Sequence, residues 1–509
     1  MKRFLYILAF LFPLFCEAQV SLAWTKSIGT STNTSAIDHK ITASGNMYVF
    51  GKTEDTICNY DAFFISKLDC SNGNELYQTI INTDSTCNQE SPAAFSLGSG
   101  NHILTCGQQP NNQAGGLLYN LDATNLSISW GKDTCSYYVD CAHGFSNEDY
   151  IVGNNPPELQ RWSESGNYSW SYIWSGPVAN AIKVFTDDVN GVYMLVNTFE
   201  TVPSTFPSGF GLVKRDTVNN AGWSMFFNPK PAEINSPVNA VLDSFGNTYV
   251  LSKTISTADS VYLNKISPSG LVLWTSSYGQ TPYAYDLKYD QANDDLLALV
   301  RVNGGIKIIR FDSSGALLDT TFMVNSTFVT GSPVFDVDTL GDNYLSYVFP
   351  VSASNYTTYT NKYNSGGSLI WTFSNSSSKP LLPSCMSVQS DGSVYESLTI
   401  NSPSAIADSI FIIKLDQPLS VFNQEPTSKI SLYPNPASSS FTYNFTPSPG
   451  KSCQYVVTDL QGKIVLNGKC NPSGKGEVDI SALSPSVYFI SIVSENGEKI
   501  TAPQKLIKL

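Results

Sequence analysis

Residues 239–279 read NAVLDSFGNTYVLSKTISTADSVYLNKISPSGLVLWTSSYG, and most of the chain is built on this pattern. The stretch divides into four short strands. Val241-Leu242-Asp243 leads into a turn at Ser244-Phe245-Gly246-Asn247, and TYVLSKT follows it. After a polar loop come VYLNKI, the turn Pro268-Ser269-Gly270 and LVLWTSS. Val, Tyr, Leu and Thr at alternating places suit pleated, half-buried strands, and Gly-Asn or Ser-Gly supplies the turns. One such unit has two open edges and little core of its own, so it must stack with copies of itself.

The copies are present. Aligned on the first turn, they fall at Gly45-Asn46, Gly100-Asn101, Asn147-Glu148, Asn190-Gly191, Gly246-Asn247, Asn293-Asp294, Gly341-Asp342 and Asp391-Gly392. A spacing of about 44–55 residues is that of four-stranded propeller blades. The last copy, IFIIKLDQPLS, stops before its closing strand, and SLAWTKSIG at 21–29 has the character of the missing piece. The expected fold is therefore all-β: a β-propeller over residues 19–418, closed by pairing its first and last segments. Eight blades are favoured, with seven as the alternative if the weak unit at 140–175 is an insertion.

Composition agrees with a turn-rich β protein. Of 509 residues only 14% are charged, while 12% are aromatic, with 35 Gly and 27 Pro. The net charge is −13, of which residues 1–18 contribute +1 and residues 427–509 contribute +3, leaving about −17 for the body. An acidic body of this kind argues against nucleic acid or an anionic membrane as partner.

MKRFLYILAFLFPLFCEAQ carries Lys2 and Arg3, an apolar run from Phe4 to Phe15 and the A-x-A-like Cys16-Glu17-Ala18, which makes residues 1–18 a signal peptide. The other reading makes Cys16 a lipid-bearing residue, although Phe15 is bulky for the position before such a cysteine. No other apolar stretch reaches the length of a membrane helix, so no transmembrane segment is expected. After cleavage nine cysteines remain: Cys58, Cys70, Cys87, Cys106, Cys135, Cys141, Cys385, Cys453 and Cys470. In an exported chain these are disulfide candidates.

The repeat units resemble degenerate bacterial propeller repeats with a D-x-x-G-N-x-Y-V core and a K-x-D-x-x-G-x-x-x-W turn. They also look loosely like the tryptophan-docking repeats of quinoprotein propellers. Two departures stand out: LDATNLSISW lacks the glycine, and SPSGLVLW lacks the aspartate. The resemblance bears on fold only, since propellers host many chemistries.

Past a polar linker at 419–428 the composition changes. Residues 429–509 contain Tyr433-Pro434-Asn435-Pro436, Asp459-Leu460-Gln461-Gly462-Lys463, a segment from Leu483 to Ile490 that includes Tyr488, and a terminal Lys505-Leu506-Ile507-Lys508. This resembles the type A C-terminal sorting domain of the type IX secretion system of Bacteroidota, with Ser486 where that family usually has Gly. Two prolines around Asn435 fix φ and withdraw two amide donors, so the first strand must stop there. The short alternating strands that follow suit a small Ig-like sandwich. The resemblance implies that the outer-membrane export machinery recognises this domain. The passenger would then be released or attached at the cell surface.

Within that segment, CQYVVTDLQGKIVLNGKC reads as a hairpin about the Gln461–Gly462 bond. Opposed residues then have numbers summing to about 923, which sets Cys453 against Cys470 and predicts a cross-strand disulfide.

No constellation supports catalysis, and no cofactor or metal is expected. His39, His102 and His143 sit near the first strands of the first three units, where convergence on the axis competes with simple scatter. Asp187-Asp188-Val189-Asn190-Gly191 lacks the alternating carboxylates of a calcium loop. There is no C-x-x-C for zinc, and no S-x-D-x-G-x-T-W box from which to nominate working carboxylates. Trp162, Trp170, Tyr172 and Trp174 are the candidate ligand-stacking residues; the last three alternate and share one strand face. Their competing role is packing between blades. Asp-Ser/Thr-aliphatic triplets, such as Asp338-Thr339-Leu340 and Asp216-Thr217-Val218, resemble an O-glycosylation signal of exported Bacteroidota proteins and are also ordinary turn chemistry. The expected function is binding of a glycan or a surface protein. The alternative is an exported enzyme, either a glycan hydrolase or lyase or a quinoprotein-like dehydrogenase.

Overall fold

The structure is a computed structural model. It describes residues 20–509 apart from 30–32, 55–60, 82–90, 99–101, 110–114, 135–136, 144–148, 178, 188–190, 199–207, 218–219, 231–232, 256–259, 280–282, 327–328, 353–354, 401–408, 418–429, 446–452, 460–463, 472, 495–500 and 502–503. The signal segment and residues 460–463, with Gly462 and Lys463, lie outside the described residues. So do Cys58, Cys87 and Cys135.

The chain divides after Gln417 into two compact units. In the first, the described residues form eight four-stranded antiparallel sheets. Sheets one to eight begin with the strands Thr34–Ile41, Ser91–Leu97, Tyr137–His143, Ala179–Thr186, Ile234–Leu242, Tyr283–Asp290, Thr330–Val337 and Leu381–Val388. Each first strand packs against the first strand of the next sheet, and Leu381–Val388 packs back on Thr34–Ile41, so the circuit is closed. This is a β-propeller architecture. The unit at 140–175, the weak copy in sequence, folds as a four-stranded sheet like the others.

Sheet eight has only three strands from its own end of the chain. Its fourth and outermost strand is Ser21–Ile28, which pairs antiparallel with Ile410–Asp416, Ser21 opposite Asp416 and Ile28 opposite Ile410.

The sheets are held together by a repeated contact that explains the K-x-D-x-x-G-x-x-x-W turn. Trp274, on the outer strand of sheet five, donates its Nε1–H to the Ser313 carbonyl at 3.2 Å in the turn of sheet six. Gly315 of that turn has φ +87°, and a Cβ there would come within 2.8 Å of the Trp274 ring. A side chain would both strain the backbone and displace the indole. Trp24 on Cys70 and Gly73 repeats the arrangement between sheets eight and one, and Trp223 on Pro268 and Gly270 between sheets four and five.

The two sequence departures then have physical accounts. Ser267 takes the place of the missing aspartate: its Oγ accepts the Leu271 N–H at 3.0 Å, as Asp312 Oδ1 accepts that of Ala316 at 2.8 Å. In sheet two the turn without glycine holds Leu126 at φ 59°. Sheet one sends it no tryptophan; Thr79 Oγ1 donates to the Leu126 carbonyl instead.

The second strands carry the core. After Tyr48, Tyr249 and Tyr344 come the fully buried Val49, Val250 and Leu345. After Tyr395, at the same place in sheet eight, comes Glu396, equally buried. Its Oε2 accepts from Ser346 Oγ of sheet seven at 3.3 Å, while Oε1 has no partner. Burial pushes this carboxyl up from 4.5 to about 7, against the lowering effect of Thr360 and Ser346.

The stability consequence follows from the sign of that shift. Below the unfolded value both states hold the proton and nothing is lost. As pH rises toward the folded value, the unfolded chain ionises first and stability falls, by about 3 kcal/mol in all. Glu396→Gln should therefore raise unfolding stability by about that much at pH 8 and by little at pH 4. Denaturant titrations at the two pH values check it, and an equal effect at both would remove the account.

The second unit has two sheets, one of Ser431–Tyr433, Ser440–Asn444 and Lys475–Asp479, the other of Ile464–Lys469, Cys453–Thr458, Ser486–Ser494 and Gln504–Lys508. Both face one core that includes Phe441, Tyr443, Val478, Val457, Ile490 and Leu506.

Candidate functional site in the polar lining of the first strands

The first strands line the middle of the circuit, and each carries a register shift at a corresponding place. The residue after the irregularity is Asp38, Ala94, Asp140, Lys183, Asn239, Asp286 or Cys385 in seven of the sheets. A bulge re-aims the side chain that follows it. Here the polar ones brace neighbouring sheets. Asp140 Oδ2 accepts the Val184 N–H at 2.6 Å. Lys183 Nζ donates to Asn239 Oδ1 at 2.7 Å and to the Ala240 carbonyl at 3.1 Å. Asn239 Nδ2 donates in turn to Asp286. Lys288 lies 3.4 Å from Asp336, whose Oδ2 accepts the Val388 N–H at 3.0 Å.

The polar succession breaks at Val334 in sheet seven and at Ala94 in sheet two. Beside Ala94 lies a cavity of about 580 Å³ bounded by Asp38, Lys40, Asp140, Lys183 and Phe185, with Cys141 in its wall. Asp38 borders this space and exposes 40% of its side chain. Its Oδ1 accepts the His39 N–H, and its Oδ2 has the Lys40 ammonium at 4.0 Å. Burial raises the Asp38 carboxyl and pushes that of Asp140 up to about 6, with the Val184 N–H and Lys183 opposing. Burial likewise lowers Lys183, with Asp286 and Asp140 opposing. A site of this kind can hold a hydroxyl-rich ligand, since carboxylate and ammonium groups accept and donate to vicinal hydroxyls.

At the seam between sheets eight and one, His39 is buried with Cys385 Sγ 2.9 Å and Ser397 Oγ 2.8 Å from Nδ1, and Ser387 Oγ 2.9 Å from Nε2. The grouping has the outline of a nucleophile and base. Its electrostatics oppose that role: burial brings His39 down to about 3 and drives the Cys385 thiol well up. Thiolate chemistry needs the reverse.

The sequence-derived residues lie elsewhere. His102 is held by Glu164 and Asn120, away from His39, and His143 ends the first strand of sheet three. Asp187 Oδ1 accepts the Gly191 N–H. Trp162 is 8% exposed. Trp170, Tyr172 and Trp174 pack on the core of sheet four. Trp170 donates to the Thr217 carbonyl, Tyr172 stacks under the Arg215 guanidinium, and the Trp174 ring lies over Gly211. Thr217 is buried, whereas Thr339 is exposed in its turn.

In the C-terminal unit the two ends of the motif set meet. Asn435 Nδ2 donates to the Lys505 carbonyl at 2.7 Å, and Asn435 Oδ1 accepts the Ile507 N–H at 2.9 Å. Tyr433 is exposed, Leu506 and Tyr488 are buried, and the Tyr488 hydroxyl donates to the Ser484 carbonyl. Pro434 and Pro436 both follow cis peptide bonds, and Asp459 stands at the end of its strand, before the turn.

The disulfide expectation is corrected here. The register is the expected one, with Gln454 opposite Lys469 and Tyr455 opposite Gly468, but Cys453 and Cys470 are free thiols. The Cys470 N–H donates to the Cys453 carbonyl at 2.9 Å, which makes this a hydrogen-bonded antiparallel pair. Side chains in such pairs stand farther apart than in non-hydrogen-bonded ones, toward the upper end of a Cβ separation of about 4.5–5.5 Å, whereas a disulfide needs about 3.5–4.5 Å. Burial, with Cys453 adding to it, pushes the Cys470 thiol up to about 12.

The residues at the cavity were missed, though a signal existed. Asp38, Asp140, Lys183, Asn239 and Asp286 each stand seven residues before the first-turn positions 45, 147, 190, 246 and 293. A polar residue recurring at one phase of an otherwise apolar strand marks a special environment.

Residues 431–508 match the family model described as the secretion system C-terminal sorting domain. The chain thus carries a sorting tail for export, the class to which its terminal motifs pointed. Among solved structures, the Dos1 propeller is similar with a TM-score of 0.52 at 9% identity, over 78% of this chain and 96% of that one. The quinohemoprotein alcohol dehydrogenase ADHIIG of Pseudomonas putida HK5 is similar with a TM-score of 0.50 at 12% identity, over 83% of this chain and 80% of that one. PorZ, described as a surface component of the type-IX secretion system of Porphyromonas gingivalis, aligns with a TM-score of 0.40 at 10% identity, over 94% of this chain and 75% of that one. The first two similarities bear on the propeller fold alone. No curated protein matches in sequence.

Proposed function

We propose that the protein is an eight-bladed propeller that binds a glycan at the cell surface, using the cavity beside Ala94. On this reading residues 1–18 are a signal peptide, 419–428 a linker and 429–509 an Ig-like type IX sorting domain. The observation that carries the binding role is the cavity of about 580 Å³ where the succession of polar first-strand side chains is interrupted. Asp38 and Lys40 present acceptor and donor groups to it, and Phe185 adds an apolar face for sugar C–H groups.

A second reading, a glycan hydrolase, draws on Asp38 and Asp140 bordering the same space. The partners of Asp140 weigh against it. Both its oxygens are held by backbone N–H groups, from Cys141 and Val184, which fixes the carboxyl as a brace in the wall between sheets three and four even though burial pushes it up to about 6.

A glycan-array screen of residues 19–418 tests the proposal, alongside Ala94→Gln, which restores a polar chain to the gap. Binding by the wild type, weakened roughly tenfold or more in the variant, is the expected result. No binding, or equal binding by both, would overturn the cavity assignment. Cleaved product lost in Asp38→Asn would establish the hydrolase instead.

A further inference from the structure

The outer strands share one position, set by register against the strand beside them. There stand Trp24 opposite Lys414, Trp130 opposite Asn120, Trp170 opposite Arg161, Trp223 opposite Lys214, Trp274 opposite Lys265 and Trp371 opposite Lys362. Sheet one has Tyr77 at this place, opposite Lys67, and sheet six has Asp319, opposite Arg310. Five of the indoles donate Nε1–H to a carbonyl in the turn of the next sheet, on Cys70, Glu164, Thr217, Pro268 and Ser313. Under four of the rings the turn presents a glycine at positive φ, namely Gly73, Gly166, Gly270 and Gly315.

Sheet seven has the receiving half of this arrangement without the indole. In its turn the Asn364 N–H donates to the Ser368 carbonyl at 2.9 Å and the Gly367 N–H to the Asn364 carbonyl at 2.8 Å, the same two bonds that Asp312 and Gly315 make in sheet six. Gly367 takes φ +80°, beside +87° at Gly315. Ser365 holds the place of Ser313, and among the described residues no donor reaches its carbonyl. Lys265 also donates to Ser313, at 3.1 Å; its counterpart Arg310 has a buried Nη2 that makes no hydrogen bond among the described residues, with Asp290 3.7 Å away. Asp319 brings no ring, and its Oδ1 turns back to the Thr320 N–H at 2.7 Å. Leu317 and Leu318 before it, and Leu369 and Ile370 after the turn, are between 42% and 56% exposed.

We infer that the turn at 364–368, with the aliphatic side chains beside it, is a docking notch for a tryptophan side chain presented by another protein. The sister turns specify the occupant. An indole seated here would cover Gly367, give its Nε1–H to the Ser365 carbonyl and leave the rest of its ring among Leu317, Leu318, Leu369 and Ile370. Tryptophan suits such a place because it joins a large apolar area to one donor that must be satisfied when buried. A second copy of this chain does not supply it. Of the eight tryptophans, seven donate Nε1–H within the chain, and Trp371 is 8% exposed. The notch belongs to the outer strands, whereas the cavity beside Ala94 belongs to the first strands, so the two sites are independent.

The probe is an acetylated Leu-Trp-Thr-Ser peptide, the sequence of residues 273–276, made with fluorotryptophan and followed by fluorine NMR against the full-length protein. The wild type should shift and broaden the signal. Asp319→Trp places the chain's own indole in the notch, so it should weaken peptide binding roughly tenfold or more and raise the unfolding midpoint. Asp319→Ala should bind as the wild type does, which separates filling of the notch from loss of the aspartate. A second measurement needs no variant: with a photoreactive leucine in the peptide, cross-links should map to 317–319 or 364–370, and methylation of the indole nitrogen should abolish them. An unshifted fluorine signal, equal binding by wild type and Asp319→Trp, cross-links elsewhere, or undiminished cross-linking by the methylated peptide would overturn the inference.

Discussion

A chain ending at Gln417 is expected to remain inside the cell, with near-complete loss of the protein from the medium and the outer surface. The sorting tail is the part of the chain with an export assignment beyond the inner membrane, and it falls wholly within the unit that begins at Pro418. The propeller's sheets, including the closing one, are built from residues 21–416. The truncated protein should therefore fold and accumulate in the periplasm. Immunoblots of fractionated native-host cells would follow it, with protease resistance reporting its fold. A milder change separates sorting from simple presence of the domain. Asn435→Ala removes two hydrogen bonds that tie the proline-rich motif to the last strand, and export should fall while the propeller's protease resistance stays the same. Normal surface levels of the truncated chain would end the sorting role.

Removing residues 20–29 from the purified protein should lower its unfolding free energy by several kcal/mol, on the order of 5. The loss has three physical parts. Ile410–Asp416 becomes an open strand edge, with its backbone groups unpaired. Ile28, 4% exposed in the intact protein, leaves a core shared with Met47, Phe64 and Ile412. Trp24 no longer covers the Cys70 and Gly73 turn of sheet one. A frayed tail of the same length would cost almost nothing. A synthetic SLAWTKSIG peptide added in trans should recover part of the loss and suppress edge-to-edge association, read by size-exclusion chromatography. An unchanged midpoint in the truncated chain would count against closure of the ring by this strand.

Much of the fold was readable because it rests on local rules applied repeatedly. Asp243, Gly246, Asn247 and Tyr249 each do a job visible in the sequence: Asp243 accepts from the Asn247 backbone and from the Tyr249 hydroxyl, and Gly246 takes φ +76°. The register of the Gln454–Lys469 hairpin followed from symmetry about one bond. The disulfide did not follow, because register alone does not say whether an opposed pair is hydrogen-bonded. The aromatic row at Trp170, Tyr172 and Trp174 was legible as one strand face, and of its two readings the structure has the packing between blades, against sheet four. The candidate site was hidden for a different reason. Asp38, Asp140 and Lys183 come from three separate repeats, and what joins them is a gap left by a small residue, Ala94, in a fourth. An absence of side chain has no motif of its own.

The strand at Ser21–Ile28 also fixes an order of events. Its partner ends at Asp416, 395 residues away, while within the seven other sheets each strand pairs with its neighbour in sequence. Relative to a hairpin loop of a few residues, joining ends so far apart costs about 4 kcal/mol more in chain entropy. That cost falls once the intervening sheets have stacked and brought the ends near each other. A chain made from its N-terminus must therefore keep this strand unpaired until residue 416 has been synthesised. Until then the sheet-eight edge it will cover is not yet there, and the strand itself is the exposed surface that a chaperone or an exporter would meet.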